Sequence, residues 1–216
     1  MSNDDLKVQV DDELLWDPKV DNTAIAVSVD DGVVTLRGTV GSFRQKLEAR
    51  QDAKHVYGVK DVKNELEVRI MNDDRRTDAE LRGAVLQALM LDSSVPTTID
   101  VKVDEGFVRL TGTAHWKFQG DEAEFVAGNV PGVFGVINEV QIVPPGPTVR
   151  EVEHDIKRAM ERNAKLDAES VAVKSDDGTI TLQGTVSSWA DHDAAVEAAW
   201  AAPGVKRVKD HIVVLY

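Results

Sequence analysis

The chain has 216 residues, of which 42% are hydrophobic and 29% charged, a balance typical of globular proteins rather than disordered or membrane-spanning ones. Cysteine is absent, which excludes disulfides, thiolate nucleophiles and metals bound by thiolates. A formal net charge of −13 makes nucleic acid and anionic lipid poor partners, because phosphate binding relies on basic surface.

The first predicted element is a helix near the N-terminus. Apolar residues recur every four positions at Leu6, Val10 and Leu14, so they lie on one side of a helix. Acidic residues precede them, and negative charge stabilises the N-terminus of a helix. Pro18 ends this helix, because the residue before a proline is pushed out of the helical region. Residues 1–6 contain neither the basic segment nor the apolar segment that begins a secretory signal. The expected location is therefore the cytoplasm, or the periplasm if a signal was trimmed.

Two β-rich runs follow the helix, and an Asp-Gly pair separates them. Asp31-Gly32 in this place is a strong hairpin signal, because such a turn needs the positive φ that glycine adopts at little cost. A second helix is predicted from about Ser42 to Val56, and Gly58 follows it as a left-handed cap. A last strand with alternating apolar residues then closes the unit.

The glycines of this unit recur in two further copies, offset by 74 and 72 residues, with the same internal spacings of 6 and 20 residues. They are Gly32, Gly38 and Gly58, then Gly106, Gly112 and Gly132, then Gly178, Gly184 and Gly204. In each copy we interpret the first as a turn residue, the second as a packing site inside a strand and the third as a helix cap. This period predicts an α+β chain of three tandem αββαβ units, at 1–71, 74–144 and 147–216. Because each core is small, we expect contact between units.

The combined motifs resemble the BON domain, a family of small bacterial α/β modules. They are the acidic-Gly hairpin ending in Gly-Thr-Val, the helix with Ala-x-x-x-Ala, and the final Gly-Val-x-x-Val-x-Asn-x-Leu-x-Val. The resemblance implies, in each unit, a three-stranded sheet with two helices on one face. It also implies roles in osmotic and other envelope stress, in channels and secretins, and in attachment to phospholipid membranes. A cytoplasmic relative is regarded as a potassium-binding protein. Unit three departs from the pattern, with Asp210 where the others have Asn64 and Asn138.

Acidic pairs precede the hairpin glycine in every copy, and carboxylate oxygens suit hard cations. These weak cation candidates are Asp30 and Asp31, Asp104 and Glu105, and Asp176 and Asp177. The favoured interpretation is that aspartate is simply a good turn residue, since two carboxylates are too few for calcium. No cofactor is therefore expected, with weakly bound K⁺ or Ca²⁺ as the open alternative.

Catalytic motifs are missing from the sequence, and the histidines share no ligand spacing, so an enzyme or a transition-metal site is not expected. The tryptophans, among them Trp16, Trp116 and Trp189, are interpreted mainly as packing residues, with an exposed contact patch as the alternative. The expected function is that of a non-enzymatic, stress-associated interaction module that binds a partner protein or the membrane surface. A cation sensor of the potassium-binding kind is the alternative, and self-association stays open.

Overall fold

The computed structural model of the chain describes residues 2–69, 76–146, 152–162 and 170–216. The predicted linker at 72–76 lies almost entirely outside these residues, as does Pro147 of the proline-rich segment after unit two. We refer to the three predicted units as repeats 1, 2 and 3.

Repeat 1 begins with a helix whose N-terminus is capped by Ser2, with Asp5 completing a reciprocal capping box. The helix ends at Trp16, two residues before Pro18, as predicted. The elements of the repeat are α1 (Asn3–Trp16), β1 (Ile25–Asp30), β2 (Val33–Val40), α2 (Phe43–His55) and β3 (Asp61–Val68).

Repeat 2 follows the same order, and Thr77 with Glu80 repeats the capping box at its first helix. Its last strand is divided into two short pieces, and both pair with the middle strand of the sheet. The elements are α3 (Asp78–Leu91), β4 (Ile99–Asp104), β5 (Phe107–Ala114), α4 (Lys117–Gly128), β6 (Gly135–Asn138) and β7 (Gln141–Ile142).

Repeat 3 again places a helix before a hairpin, and a second helix before the last strand. Its elements are α5 (Val152–Glu161), β8 (Val171–Asp176), β9 (Thr179–Val186), α6 (Trp189–Trp200) and β10 (Arg207–Val214). The predicted α+β fold class is confirmed, with the αββαβ order in all three repeats.

The last strand of each repeat lies beside the second strand, which the sequence left undecided. In repeat 1, β1 pairs antiparallel with β2, and β3 pairs parallel with β2 on its other side. The helix α2 makes the crossover that a parallel pair requires. One sheet face packs on the two helices, because the alternate strand residues Val34, Leu36, Val62 and Leu66 are buried there.

The chain divides into two compact units, Met1–Gly112 with Gly120–Val140 and Thr113–Gln119 with Gln141–Tyr216. In the first unit, the expected contact between repeats exists. Phe43 of α2 is buried in the core of repeat 2 among Leu81 and Val85, rather than in the core of its own repeat. The ring of Phe43 would lie 3.0 Å from a Cβ added at Gly128, so this glycine makes room for it.

Candidate functional site

The acidic pairs of the three hairpins do not form a common site in the structure. The second acid of each pair, Asp31, Glu105 or Asp177, occupies the turn with a positive φ of 45°, 49° or 40°. The first acid, Asp30, Asp104 or Asp176, is the last residue of the preceding strand. The side chains of Asp31 and Asp177 are 92% and 94% exposed, and their ion pairs are with Lys60 and Lys206.

The turn of repeat 2 is held differently. The backbone N–H groups of Glu105 and Gly106 each donate to the carboxylate of Asp78, at 2.9 Å. Asp78 is the first residue of α3, so it joins that helix to the hairpin turn. These hydrogen bonds hold the turn in place, and both carboxylate oxygens of Asp78 accept a hydrogen bond from the backbone.

The second glycine of each repeat allows two backbone segments to approach closely. An added Cβ would lie 1.9 Å from the carbonyl oxygen of Ala24 at Gly38, 2.1 Å from that of Thr98 at Gly112, and 2.0 Å from that of Ser170 at Gly184. The third glycines, Gly58, Gly132 and Gly204, follow the second helices and have a positive φ. The turn glycines of the hairpins, Gly32, Gly106 and Gly178, also have a positive φ. All nine glycines thus occupy backbone positions that disfavour other residues.

A carboxylate cluster that sequence analysis missed lies where α1 ends against α2. It consists of Asp17, directly after α1, and of Glu48 and Asp52, one turn apart on α2. One oxygen from each carboxylate lies within 4.8 Å of the others. The Nζ atom of Lys19 lies 3.7 Å from Glu48 and 4.0 Å from Asp17, and Arg44 also pairs with Glu48. Within the described residues, this is the acidic cluster with the spacing of a metal site.

Asp52 is the unusual member of this cluster. Its Oδ2 atom is buried and has no hydrogen-bond partner among the residues that the structure describes. Desolvation, reinforced by the charges of Asp17, Glu48 and Glu13 and opposed by Lys19, raises the pKa of Asp52 to about 7. Near neutral pH the cluster therefore gains or loses a proton, and oxygen ligands of this kind also suit a hard cation.

The repeat alignment contained a signal for Asp52. The residues at the equivalent positions of α4 and α6 are Val126 and Ala198, which are apolar and partly buried. An acid at a position that two sister copies fill with apolar residues indicates a buried charge. The meeting of α2 with Asp17 is a tertiary contact, which the spacing of glycines does not encode.

The asparagine motif of the last strand fastens that strand to the second helix. The side-chain amide of Asn64 donates to the carbonyl of Lys46 at 2.7 Å, and that of Asn138 donates to the carbonyl of Gly120 at 2.8 Å. The helix residue at the same position in repeat 3 is His192. The motif therefore links the last strand to the second helix by a hydrogen bond and has a structural role.

Large apolar side chains are exposed where the first helices of repeats 1 and 2 end. Leu15 and Trp16 are 66% and 83% exposed, and Met90 and Leu91 at the equivalent positions are both 81% exposed. The interpretation of the tryptophans as packing residues is thus wrong for Trp16. In repeat 3 the equivalent residues are charged and exposed, Glu161 and Arg162.

The family model of the BON domain matches residues 2–70, 77–144 and 148–216. The chain is 33% identical over 150 residues to Osmotically-inducible protein Y of Escherichia coli (strain K12), covering 65% of this chain and 73% of that protein. It is also 28% identical over 122 residues to an uncharacterized protein in the gshII 5′ region of Anaplasma centrale, covering 54% and 81%.

Two solved structures were also matched. One is CdsD, a structural protein of the type III secretion system of Chlamydia trachomatis, at 16% identity, 98% and 92% coverage and a TM-score of 0.27. The other is the PrgH periplasmic domain, at 12% identity, 95% and 99% coverage and a TM-score of 0.25. Scores this low say nothing about function. Among the described helices, none has the length and apolar character needed to cross a membrane.

Proposed function

The chain belongs to the BON domain family, and from this we propose that it is a non-enzymatic, osmotic-stress-associated module that binds a partner protein. The stress association is supported by the likeness to an osmotically inducible protein at 33% identity. The observation that carries the binding role is the exposed apolar side chains at the ends of α1 and α3. Contiguous apolar groups left exposed on a soluble protein mark interaction sites, and Leu15 with Trp16 and Met90 with Leu91 are two such adjacent pairs.

The surroundings of Leu15 and Trp16 favour a protein over an anionic membrane. Asp11, Asp12 and Glu13 precede them along α1, and Asp17 follows directly. A surface with apolar groups beside acids suits a partner that offers an apolar pocket with basic residues at its rim. An anionic bilayer is repelled by the same acids.

The test uses variants that copy repeat 3 into repeats 1 and 2. In a strain lacking this protein, wild type should restore growth at high osmolarity, and Leu15→Glu/Trp16→Arg with Met90→Glu/Leu91→Arg should not. Phe118→Ser, which removes an exposed apolar residue elsewhere, is the matched control and should restore growth. Full restoration by the fourfold variant would contradict the proposal. Co-sedimentation with zwitterionic and anionic vesicles distinguishes binding to a partner protein from binding to a membrane. If the protein binds membranes through its apolar side chains, it should sediment with the vesicles, and this binding should depend weakly on salt.

A second candidate function, a cation sensor, is favoured by the buried Oδ2 atom of Asp52, for which the described part of the chain offers no hydrogen-bond partner. We propose K⁺ or Ca²⁺ as the ion, with Asp17, Glu48 and Asp52 as the residues that would hold it. A cation that binds only the folded chain must raise its melting temperature. Thermal melts in KCl, NaCl and CaCl₂ at equal ionic strength should then differ for wild type and coincide for Asp52→Asn. Equal melting temperatures of wild type in all three salts would exclude this candidate.

A further inference from the structure

The open face of the sheet in repeat 3 is basic, although the chain as a whole carries a net charge of −13. This is the face that α5 and α6 do not cover. Its exposed charged residues are Lys174 and Asp176 on β8, and Arg207 and Lys209 on β10. Within the described residues, no acidic side chain forms an ion pair with Lys174, Arg207 or Lys209. The face therefore carries three basic residues against one acidic residue.

The strand register gives this face a regular layout. Lys174 is paired with Thr181 on the middle strand, and Thr181 is paired with Lys209 on the other side. Neighbouring strands lie about 4.8 Å apart, so the two lysines flank a threonine hydroxyl at a separation of about 10 Å between their Cα atoms. The next pair along, Thr179 with Arg207, adds a guanidinium beside them. Acidic groups spaced as on a β-sheet match such a layout.

The open face of repeat 1 has the opposite character on the same framework. Its last strand carries exposed Asp61, Lys63, Glu65 and Glu67 at positions where repeat 3 has Arg207, Lys209, His211 and Val213. Arg37 pairs with Glu65 at 2.7 Å, whereas Asp61 and Glu67 take part in no ion pair within the described part of the chain. The two faces are equal in strand number, strand length and register. Their strand spacings therefore match, and their net charges have opposite signs. The face of repeat 1 carries four acids against two basic residues (Asp30, Asp61, Glu65 and Glu67 against Arg37 and Lys63), and that of repeat 3 carries three basic residues against one acid (Lys174, Arg207 and Lys209 against Asp176).

We propose that the open sheet face of repeat 3 docks onto the open sheet face of repeat 1 in a second copy of this chain. This goes beyond the proposed function, because it involves neither α1 nor α3. The contact joins unlike faces, so each added copy leaves one free face of each kind, and the assembly grows head to tail. A three-stranded polar face is small for a stable interface, so the association is weak and reversible.

The experiment uses two full-length variants with reversed charge. The acidic variant, Lys174→Glu/Lys209→Glu, has two acidic faces, and the basic variant, Asp61→Lys/Glu67→Lys, has two basic faces. By sedimentation velocity in 0.1 M salt, the average mass of wild type should rise with concentration, and each variant alone should stay monomeric. An equimolar mixture of the two variants should associate again, because each face then meets its complement. Both variants remain net negative, so overall charge attraction does not explain such a result.

A third variant controls for the change in net charge. Lys157→Glu/Arg158→Glu lies on the exposed side of α5 in the same repeat and should associate as wild type does. Circular dichroism melts verify that all variants are folded. The proposal is overturned if wild type stays monomeric up to millimolar concentration, if either face variant associates as strongly as wild type, or if the mixture of folded variants does not associate.

Discussion

The Nε2 atom of His192 lies 2.7 Å from the Oδ2 atom of Asp210, and this pair joins α6 to β10. Repeats 1 and 2 make the same junction with a neutral asparagine amide and a backbone carbonyl. In repeat 3 an acid replaces the asparagine, and a histidine replaces the facing helix residue. The junction of helix and strand has thus become an ion pair that depends on protonation.

Repeat 3 should lose stability when the imidazole of His192 loses its proton. The hydrogen bond with Asp193 and the carboxylate of Asp210 raise the pKa of His192 above its usual value, against the effect of burial. Because the folded pKa is the higher one, the stabilisation is present below pH 6.5 and is lost as the pH rises through the folded pKa. NMR titration of the imidazole should show a lower pKa for His192 in Asp210→Asn than in wild type.

The signal of His154, on the exposed surface of α5, serves as the reference in the same spectra. Asp210→Asn also restores the asparagine of the other repeats, so it should keep the chain folded while its stability varies less between pH 6 and 9. A His192 titration that is the same in both proteins would show that Asp210 has no part in the charge of the pair.

Asp52 should make repeat 1 less stable as the pH rises from about 4 to about 7. Its folded pKa of about 7 exceeds that of an unfolded aspartate, so the folded state binds the proton more tightly, and this advantage disappears as the group ionises. Asp52→Val, which copies repeat 2, should stabilise the chain at pH 8 by about 1–3 kcal/mol, the usual cost of a buried polar group without a partner.

Urea denaturation at pH 5 and pH 8 measures this effect. Asp12→Asn, which removes one exposed charge from α1, is the control and should keep the pH profile of wild type. If Asp52→Val were less stable than wild type at pH 8, the carboxylate would be a favourable part of the cluster.

Two helix glycines of repeat 2 should respond in opposite ways to alanine. Gly83 in α3 has nothing within 4 Å of an added Cβ, so Gly83→Ala should stabilise the chain by about 0.5–1 kcal/mol. At Gly128 the added Cβ would lie 3.0 Å from the ring of Phe43, so the same change should destabilise it. Equilibrium urea unfolding compares the two variants directly. A gain in stability at Gly128 equal to that at Gly83 would show that Phe43 moves aside without cost.

The packing glycine inside β2 should tolerate no side chain. Gly38 has a φ of 124°, and an added Cβ would lie 1.9 Å from the carbonyl oxygen of Ala24, which is backbone and does not move away easily. Gly38→Ala should therefore cost more than about 2 kcal/mol of unfolding free energy. Gly41→Ala, three residues later, meets only the end of Gln45 at 3.8 Å and should be nearly neutral in a parallel thermal melt. Similar melting temperatures for the two variants would refute the close approach.

The fold was predictable because its signals are local and occur three times. Asp31-Gly32 determines a turn by its own backbone preference, and Leu6, Val10 and Leu14 show which side of a helix is buried whatever that side packs against. Phe43 was not predictable in this way, because it is buried in the core of the neighbouring repeat and the period describes each repeat alone. The carboxylate of Asp52 likewise depends on where α1 ends in space, which follows from packing between helices.

The parallel pairing of β3 with β2 has a consequence during protein synthesis. The ribosome produces the β1–β2 hairpin first, and the strand that covers the other edge of β2 follows only after α2 is complete. At a synthesis rate of about 5–20 residues per second, that edge of β2 stays unpaired for roughly one to six seconds before β3 is complete. During this interval the nascent chain exposes the apolar side chains of β2 beside an unpaired edge. An unpaired edge of this kind can pair with another chain, so this interval is the one in which repeat 1 is most open to aggregation.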